Sequence, residues 1–231
     1  MASNYAFKYK VDIVFCIDAT MSMYNILDKV KAGVINFHAD LLAAMEKKNK
    51  RVDSLRVRLV VFRDYVADGN DAMQVTNFFE LPAQSAEFAA CVRSIVPKGG
   101  GDDPEDALEA LAYAIRSPWI ENDSAGSKRR QIVALWTDAP PHPLGFGARE
   151  RNYPAGMPKT LEELSGWWGT KQAPGFMEEN AKRLLLYAPE CDGWNKVSNN
   201  WSNSVYFPSI AGEGLKEFEY EQIIDVIAGS V

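Results

Sequence analysis

Asp18, Thr20 and Ser22 stand on alternate positions directly after an apolar run of strand type, Val11-Asp12-Ile13-Val14-Phe15-Cys16-Ile17. A carboxylate and two hydroxyls spaced in this way, just past a strand end, can converge on one point. Their hard oxygen atoms suit Mg²⁺, Mn²⁺ or Ca²⁺ far better than zinc or copper. The same residue types are common in turns and at helix N-caps, so the string read alone leaves a capping role open. Two later segments bear on that choice. Gly99-Gly100-Gly101-Asp102-Asp103-Pro104-Glu105 opens a helix with apolar periodicity, and Ile132-Val133-Ala134-Leu135-Trp136-Thr137-Asp138 reads as a second strand ending on an acid.

In this order the three pieces resemble the von Willebrand factor A domain family. Its metal-ion-dependent adhesion site is written D-x-S/T-x-S, then a Thr or acidic residue in a Gly-rich loop, then a strand-terminal T-D. The resemblance covers about half of the chain. It implies metal-site roles for Asp18, Thr20, Ser22 and Asp138, and it aligns Asp102 with the loop position that is Thr in many members. The Asp-Asp-Pro-Glu stretch looks more like the integrin β-subunit version, in which the Glu after Pro is the ligand. Asp102 and Glu105 are therefore both implied as loop ligands, with Asp103 third. Met21 departs from the family, standing where Gly is frequent. An anionic loop ligand leaves less positive charge at the metal than Thr would, which weakens its attraction for a partner carboxylate.

The elements that must position these residues alternate along the chain. Val11 to Asp18 is a strand, and apolar spacing through Ile26, Val30, Val34, Phe37, Leu41 and Met45 predicts one helix from Ser22 to about Lys48. Leu55 to Asp64 reads as a second strand, with Phe78 to Leu81 as a short, antiparallel neighbour. Helices are expected over 85–95 and 104–116, and a buried strand over Gln131 to Asp138. From Ala139 to Gly175 the composition turns to Pro, Gly and polar residues, which reads as an irregular insertion with one helix at Thr160 to Trp168. A helix over Phe176 to Tyr187, a strand at about Ser204 to Phe207 and a terminal helix from about Lys216 to Ile227 complete the reading. Such alternation predicts an α/β fold, a doubly wound, mostly parallel sheet with helices on both faces. Ligands of such sheets bind beyond the carboxyl ends of the strands, where strand order reverses. Asp18 and Asp138 lie at such ends, and the family's strand order implies that their strands are neighbours.

Bulk properties fit one Rossmann-like domain spanning 1–231: the chain has 231 residues, of which 47% are hydrophobic, enough to form a sizeable core. A net charge of −6 argues against a general nucleic-acid or acidic-membrane surface. Lys128-Arg129-Arg130 is the only run of three consecutive basic residues and reads as a solvated turn leading into the strand at 131. Neither a signal peptide nor a spanning run of roughly 18 apolar residues is evident, so a cytoplasmic location is expected. Cys16, Cys91 and Cys191 have no pairing pattern, and Cys16 reads as a small core residue.

Other candidates are weaker. Asp64 is a strand-terminal acid that reads as the cap of the next turn. His38 falls in the first helix, and His142 follows Asp138 in the insertion, an unusual ligand for a site of hard oxygens. The Gly-rich loop lacks the Gly-Lys-Ser/Thr of a phosphate cradle, and its acids would repel phosphate. No nucleophile motif supports a hydrolase. Trp167, Trp168, Trp194 and Trp201 serve either as a recognition surface or as anchors of the irregular segments, and the anchoring role is preferred. These residues and the resemblance together predict a non-enzymatic, Mg²⁺-dependent protein-interaction domain (Mn²⁺ or Ca²⁺ being the alternatives). A partner Asp or Glu would complete the coordination within a multi-component assembly. A metal-dependent phosphatase and a domain with a purely structural metal are the rival readings.

Overall fold

The computed structural model describes residues 7–33, 35–100, 104–121, 128–213, 215–216 and 218–231. Its centre is a mostly parallel sheet in the order β3-β2-β1-β5-β6-β7. These strands are β1 (Phe7–Asp18), β2 (Lys50–Phe62), β3 (Met73–Val75), β5 (Lys128–Trp136), β6 (Lys182–Pro189) and β7 (Ser204–Ser209). A further strand, β4 (Phe79–Leu81), runs antiparallel to β2 beside Leu55–Val57, as does β3 beside Val60–Phe62. The helices are α1 (Tyr24–Gly33), α2 (Phe37–Lys47), α3 (Tyr65–Asp68), α4 (Ser85–Ser94), α5 (Ala107–Ile115), α6 (Leu161–Trp168), α7 (Asp192–Asn200) and α8 (Tyr220–Ser230).

Alternation along the buried strands explains why helices cover both faces. Ile13, Phe15, Ile17, Val57, Leu59, Ile132, Ala134 and Trp136 point into one core with Leu27, Leu41, Phe88 and Ile227 from the helices. Val14, Cys16, Val60, Val133, Leu135 and Leu186 point into the other, which is closed by Leu111, Leu164, Trp168, Trp194 and Trp201. The expected doubly wound α/β architecture is therefore present. Strand order reverses between β1 and β5, whose register pairs Ile17 with Trp136. The residues that follow, Asp18 and Thr137, are thus brought side by side.

Four local expectations are corrected. The single helix from Ser22 to Lys48 is a 3-10 turn (Met21–Met23) followed by α1 and α2, which are separate helices. Tyr220 of α8 occupies the break: its hydroxyl donates to the Gly33 carbonyl at 3.1 Å, and a Cβ on Gly33 would lie 2.5 Å from its ring. Periodicity alone cannot reveal a helix interrupted by a residue far away in sequence. The expected helix over Phe176 to Tyr187 is instead the approach to β6 and most of that strand. Leu184-Leu185-Leu186-Tyr187-Ala188 is buried on both faces, and a continuous apolar run carries no period that separates a central strand from a helix. Lys128-Arg129-Arg130 begins β5 rather than forming a turn, and the helix expected from residue 104 begins at Ala107. The short elements β3, α3 and α7 are additional to those expected.

The segment between β5 and β6 is held by tryptophans and a lysine. Trp168 and Trp201 stack with ring centroids 5.0 Å apart, and the Trp194 indole donates to the Ala139 carbonyl at 3.0 Å. The fully buried Lys182 ammonium donates to the carbonyls of Trp168 and Gly169, each at 2.8 Å, and pairs with Glu179 at 2.5 Å. Trp168, Trp194 and Trp201, three of the four tryptophans singled out in the sequence, are thus buried anchors. Replacing Lys182 by Met would orphan two carbonyls and Glu179 Oε2. We expect Lys182→Met to cost about 3 kcal/mol, read as a lower midpoint in urea denaturation.

Candidate metal centre

The loop after β1 folds back on its own carboxylate. Asp18 Oδ1 accepts from the Thr20 amide at 2.9 Å and the Thr20 hydroxyl at 2.6 Å, and Oδ2 accepts from the Thr137 hydroxyl at 2.7 Å. Ser22 donates to Asp138 Oδ1 at 2.8 Å, and its oxygen lies 3.3 Å from that of Thr20. Each carboxylate thus accepts a hydrogen bond from a hydroxyl, which leaves the lone pairs of the adjacent Thr20 and Ser22 oxygens free to meet a cation. Neighbouring ligands of an octahedral Mg²⁺ are separated by about 3 Å, close to the spacing seen here. The capping alternative finds no support at Thr20, whose side chain makes no cap bond to the 3-10 turn it precedes.

Glu105 joins this group from the loop before α5. Its amide donates to the Pro140 carbonyl at 3.0 Å and its carbonyl accepts from the His142 amide at 2.8 Å, which fixes it beside the segment following Asp138. The residue is 2% exposed, and Oε2 has no hydrogen-bond partner. Burial, followed by the negative charges of Asp18, Asp64, Asp68 and Asp106, raises its pKa to about 10. Burial likewise lifts Asp18 to about 6 against the opposing bonds from Thr20 and Thr137. A buried carboxylate with an unmet oxygen beside other acids is a strong physical reason to look for a cation.

Two glycines make room for this approach. Gly100, at a positive φ of 75°, lies so close that a Cβ would come within 2.9 Å of Thr20 and 3.1 Å of Glu105 Oε1. At Gly99 a Cβ would collide with the Asp68 carboxylate. Asp102 and Asp103, the other expected loop ligands, lie outside the described residues.

Arg63 ties the loops together, a role that no local sequence pattern announces. It is 2% exposed, directly after β2, and donates from Nε to the carbonyls of Ala19 and Lys98, from Nη1 to that of Asp71 and from Nη2 to that of Val96. Its own carbonyl accepts from the Asp106 amide at 3.2 Å. A planar fork of donors suits four carbonyls arrayed around it, which an ammonium group would not match.

A second group is legible only in part from the sequence. Asp64 caps α3 as expected, with Oδ1 accepting from the amides of Val66 and Ala67. A ligand atom from Asp64, one from Asp106 and one from His142 all lie within 4.8 Å of one another, and all three residues are buried. Sequence reading does not single out Asp106, whose place just before a helix looks like ordinary capping. Among the described residues this is the one grouping of three or more His, Cys, Asp or Glu ligand atoms with metal-binding spacing.

A family model for the von Willebrand factor A domain matches residues 12–141. The chain belongs to this family. An alpha-protein kinase, vwkA, of Dictyostelium discoideum is 24% identical over 152 residues, which is 66% of this chain but 22% of that protein. The pilus adhesin SpaC of Lactobacillus rhamnosus GG in its open conformation superposes over 96% of this chain and 30% of its own, with 17% identity and a TM-score of 0.53. Proximal thread matrix protein 1 of the mussel byssus does so over 97% and 48%, with 9% identity and a TM-score of 0.51. At such identities the two structures share with this von Willebrand A domain the fold alone. The chain spans less than half the length of each of these three proteins. Among the described residues no helix is long and apolar enough to cross a membrane.

The buried acid and the buried arginine each have a measurable consequence. In metal-free protein Glu105 keeps its proton well above the ordinary value of 4.5, so folding takes up a proton and stability falls as pH rises toward about 10. Urea denaturation in chelator should show wild type losing stability between about pH 6 and pH 9 more steeply than Glu105→Gln, by up to about 1.4 kcal/mol per pH unit. Arg63→Lys should lower the urea midpoint by an amount equivalent to about 2–4 kcal/mol, because a single ammonium cannot satisfy the four carbonyls.

Proposed function

We propose that this domain binds one divalent cation, Mg²⁺ in the first instance, through Asp18, Thr20, Ser22, Glu105 and Asp138, and uses it to hold an acidic side chain of a protein partner. Asp102 is retained as an alternative loop ligand. The observation that carries the proposal is the unmet, buried Glu105 oxygen in the same acidic crevice as Asp18 and the two hydroxyls. When bound, the cation supplies a Lewis-acid position that a partner's Asp or Glu completes. The chain's own residues keep that position in shape. Thr137 and Thr20 hold Asp18 from both sides, Ser22 is oriented by Asp138, and Arg63 fastens the surrounding loops.

The surface around the strand ends favours a protein partner. Met21, Val66 and Ile210 are exposed apolar side chains that follow β1, β2 and β7 within a few residues. Phe146, also exposed, lies in the segment after β5, and the exposed Val96 is bonded to Arg63 through its carbonyl. Apolar groups around a charged centre give a partner both area and a fixed point. The role we propose is non-catalytic. The Arg63 guanidinium, buried beside these loops, is committed to backbone carbonyls, so the phosphatase reading gains nothing from it. Cys16, Cys91 and Cys191 are free thiols.

A purely structural metal, its coordination closed by the loop acids Asp102, Asp103 and Glu105, is the second reading, favoured by the buried, unmet carboxyl oxygen of Glu105. Asp18→Ala separates the two. Calorimetric titration of chelator-treated protein should show saturable one-site Mg²⁺ binding that the variant loses. On the adhesion reading the variant's melting temperature in Mg²⁺ stays near that of wild type and only partner binding fails. On the structural reading the melting temperature falls with the metal.

A further inference from the structure

We propose a second cation site, formed by Asp64, Asp106 and His142, that takes a transition-metal dication of the Zn²⁺ or Mn²⁺ class and clamps three segments of the fold together. It does not depend on the Mg²⁺ site proposed above. The three residues come from separate places: Asp64 from the turn after β2, Asp106 from the residue before α5, and His142 from the segment after β5. They are 1%, 0% and 3% exposed.

The hydrogen bonding around the group leaves a charge problem that a cation resolves. On each carboxylate one oxygen is already satisfied by backbone amides: Asp64 Oδ1 by Val66 and Ala67, and Asp106 Oδ2 by Tyr65 at 2.6 Å. The remaining oxygens both face the same ring nitrogen, with Asp64 Oδ2 at 3.3 Å and Asp106 Oδ1 at 3.2 Å from His142 Nδ1. That nitrogen carries at most one proton for the two acceptors. One more carboxylate oxygen lies unmet on the helix that follows Asp106, Glu109 Oε2, in a buried residue. Even a protonated His142 would leave two buried carboxylates sharing one positive charge, in surroundings where unpaired charge is costly.

The spacing fits metal ligation. Ligands of a tetrahedral Zn²⁺ at its usual bond lengths are separated by about 3.3 Å, and the imidazole-to-carboxylate separations agree with this. One imidazole and two carboxylates form a mixed set that Mg²⁺ does not favour, whereas zinc and manganese accept it. The ring is already positioned, stacked on Phe146 at a centroid distance of 3.9 Å. Deep burial of all three residues points to a structural clamp rather than a catalytic ion. It would fix the Glu105–Asp106 corner to the segments that carry Asp64 and His142.

The test uses the whole chain, chelator-treated and then saturated with Mg²⁺, titrated with Co²⁺ by visible absorption and with Zn²⁺ by calorimetry. Wild type, Asp18→Ala and His38→Gln should each take up one equivalent with the absorption bands of a nitrogen-ligated Co²⁺. His142→Asn and Asp106→Asn should bind at least tenfold more weakly. Circular dichroism in chelator establishes that each variant is folded, and Asp106→Asn keeps an acceptor for the Tyr65 amide should the histidine variant fail to fold. No uptake by wild type, or uptake unchanged in a folded His142→Asn or Asp106→Asn, would overturn the proposal. Loss in His38→Gln alone would do the same, by placing the ion elsewhere. Because Asp18→Ala removes only the first site, failure of one proposal is distinguishable from failure of the other.

Discussion

Carboxylates are crowded and buried at one end of the sheet, and the surrounding structure is organised by that constraint. Asp18, Asp64, Glu105, Asp106 and Asp138 are each at most 2% exposed. Anions so placed repel one another and lose hydration, and burial accordingly raises Asp18 and Glu105 toward their neutral forms. A fold retains such a group when donors and cations are arranged to meet it. Here hydroxyls from Thr20, Ser22 and Thr137 and amides from Thr20, Tyr65, Val66 and Ala67 meet several of the oxygens, and Glu105 Oε2 is left over.

Sheet topology creates the crowding, and a single arginine stabilises it. Reversal of strand order between β1 and β5 sets the ends of two parallel strands side by side, so both deliver acids to one crevice. Arg63 then holds the loops from inside through carbonyls rather than carboxylates. That choice matters electrostatically. An arginine paired directly with Asp18 or Glu105 would neutralise the group that a cation is proposed to occupy. By bonding to backbone instead, Arg63 orders the loops and leaves the charge of those acids for another cation.

The front of the site is legible in the sequence and its back is concealed. Asp18, Thr20, Ser22 and Asp138 can be read because they lie in short strings at strand ends whose order matches the family's motif, although the first string alone leaves a capping role open. Glu105 is recognisable through the Asp-Asp-Pro-Glu stretch, but its unmet oxygen depends on packing that no local pattern encodes. Asp64, Asp106 and His142 lie far apart in the chain and each has an ordinary local role, so their meeting requires the fold. The same division holds for the elements. β2, with Leu55-Arg56-Val57-Arg58-Leu59, alternates and so announces a strand, whereas the uniformly apolar β6 mimics a helix, and the α1–α2 break is set by Tyr220, 187 residues beyond the Gly33 carbonyl it bonds.

The central claim is that a divalent cation answers the buried charge around Asp18 and Glu105, displacing the proton that Glu105 otherwise keeps. Calorimetry of Mg²⁺ binding at neutral pH, repeated in buffers of different ionisation enthalpy, counts that proton directly. The account predicts release of about one proton per ion bound, lost in Glu105→Gln. Binding heats identical in every buffer, or proton release undiminished in the variant, would contradict it.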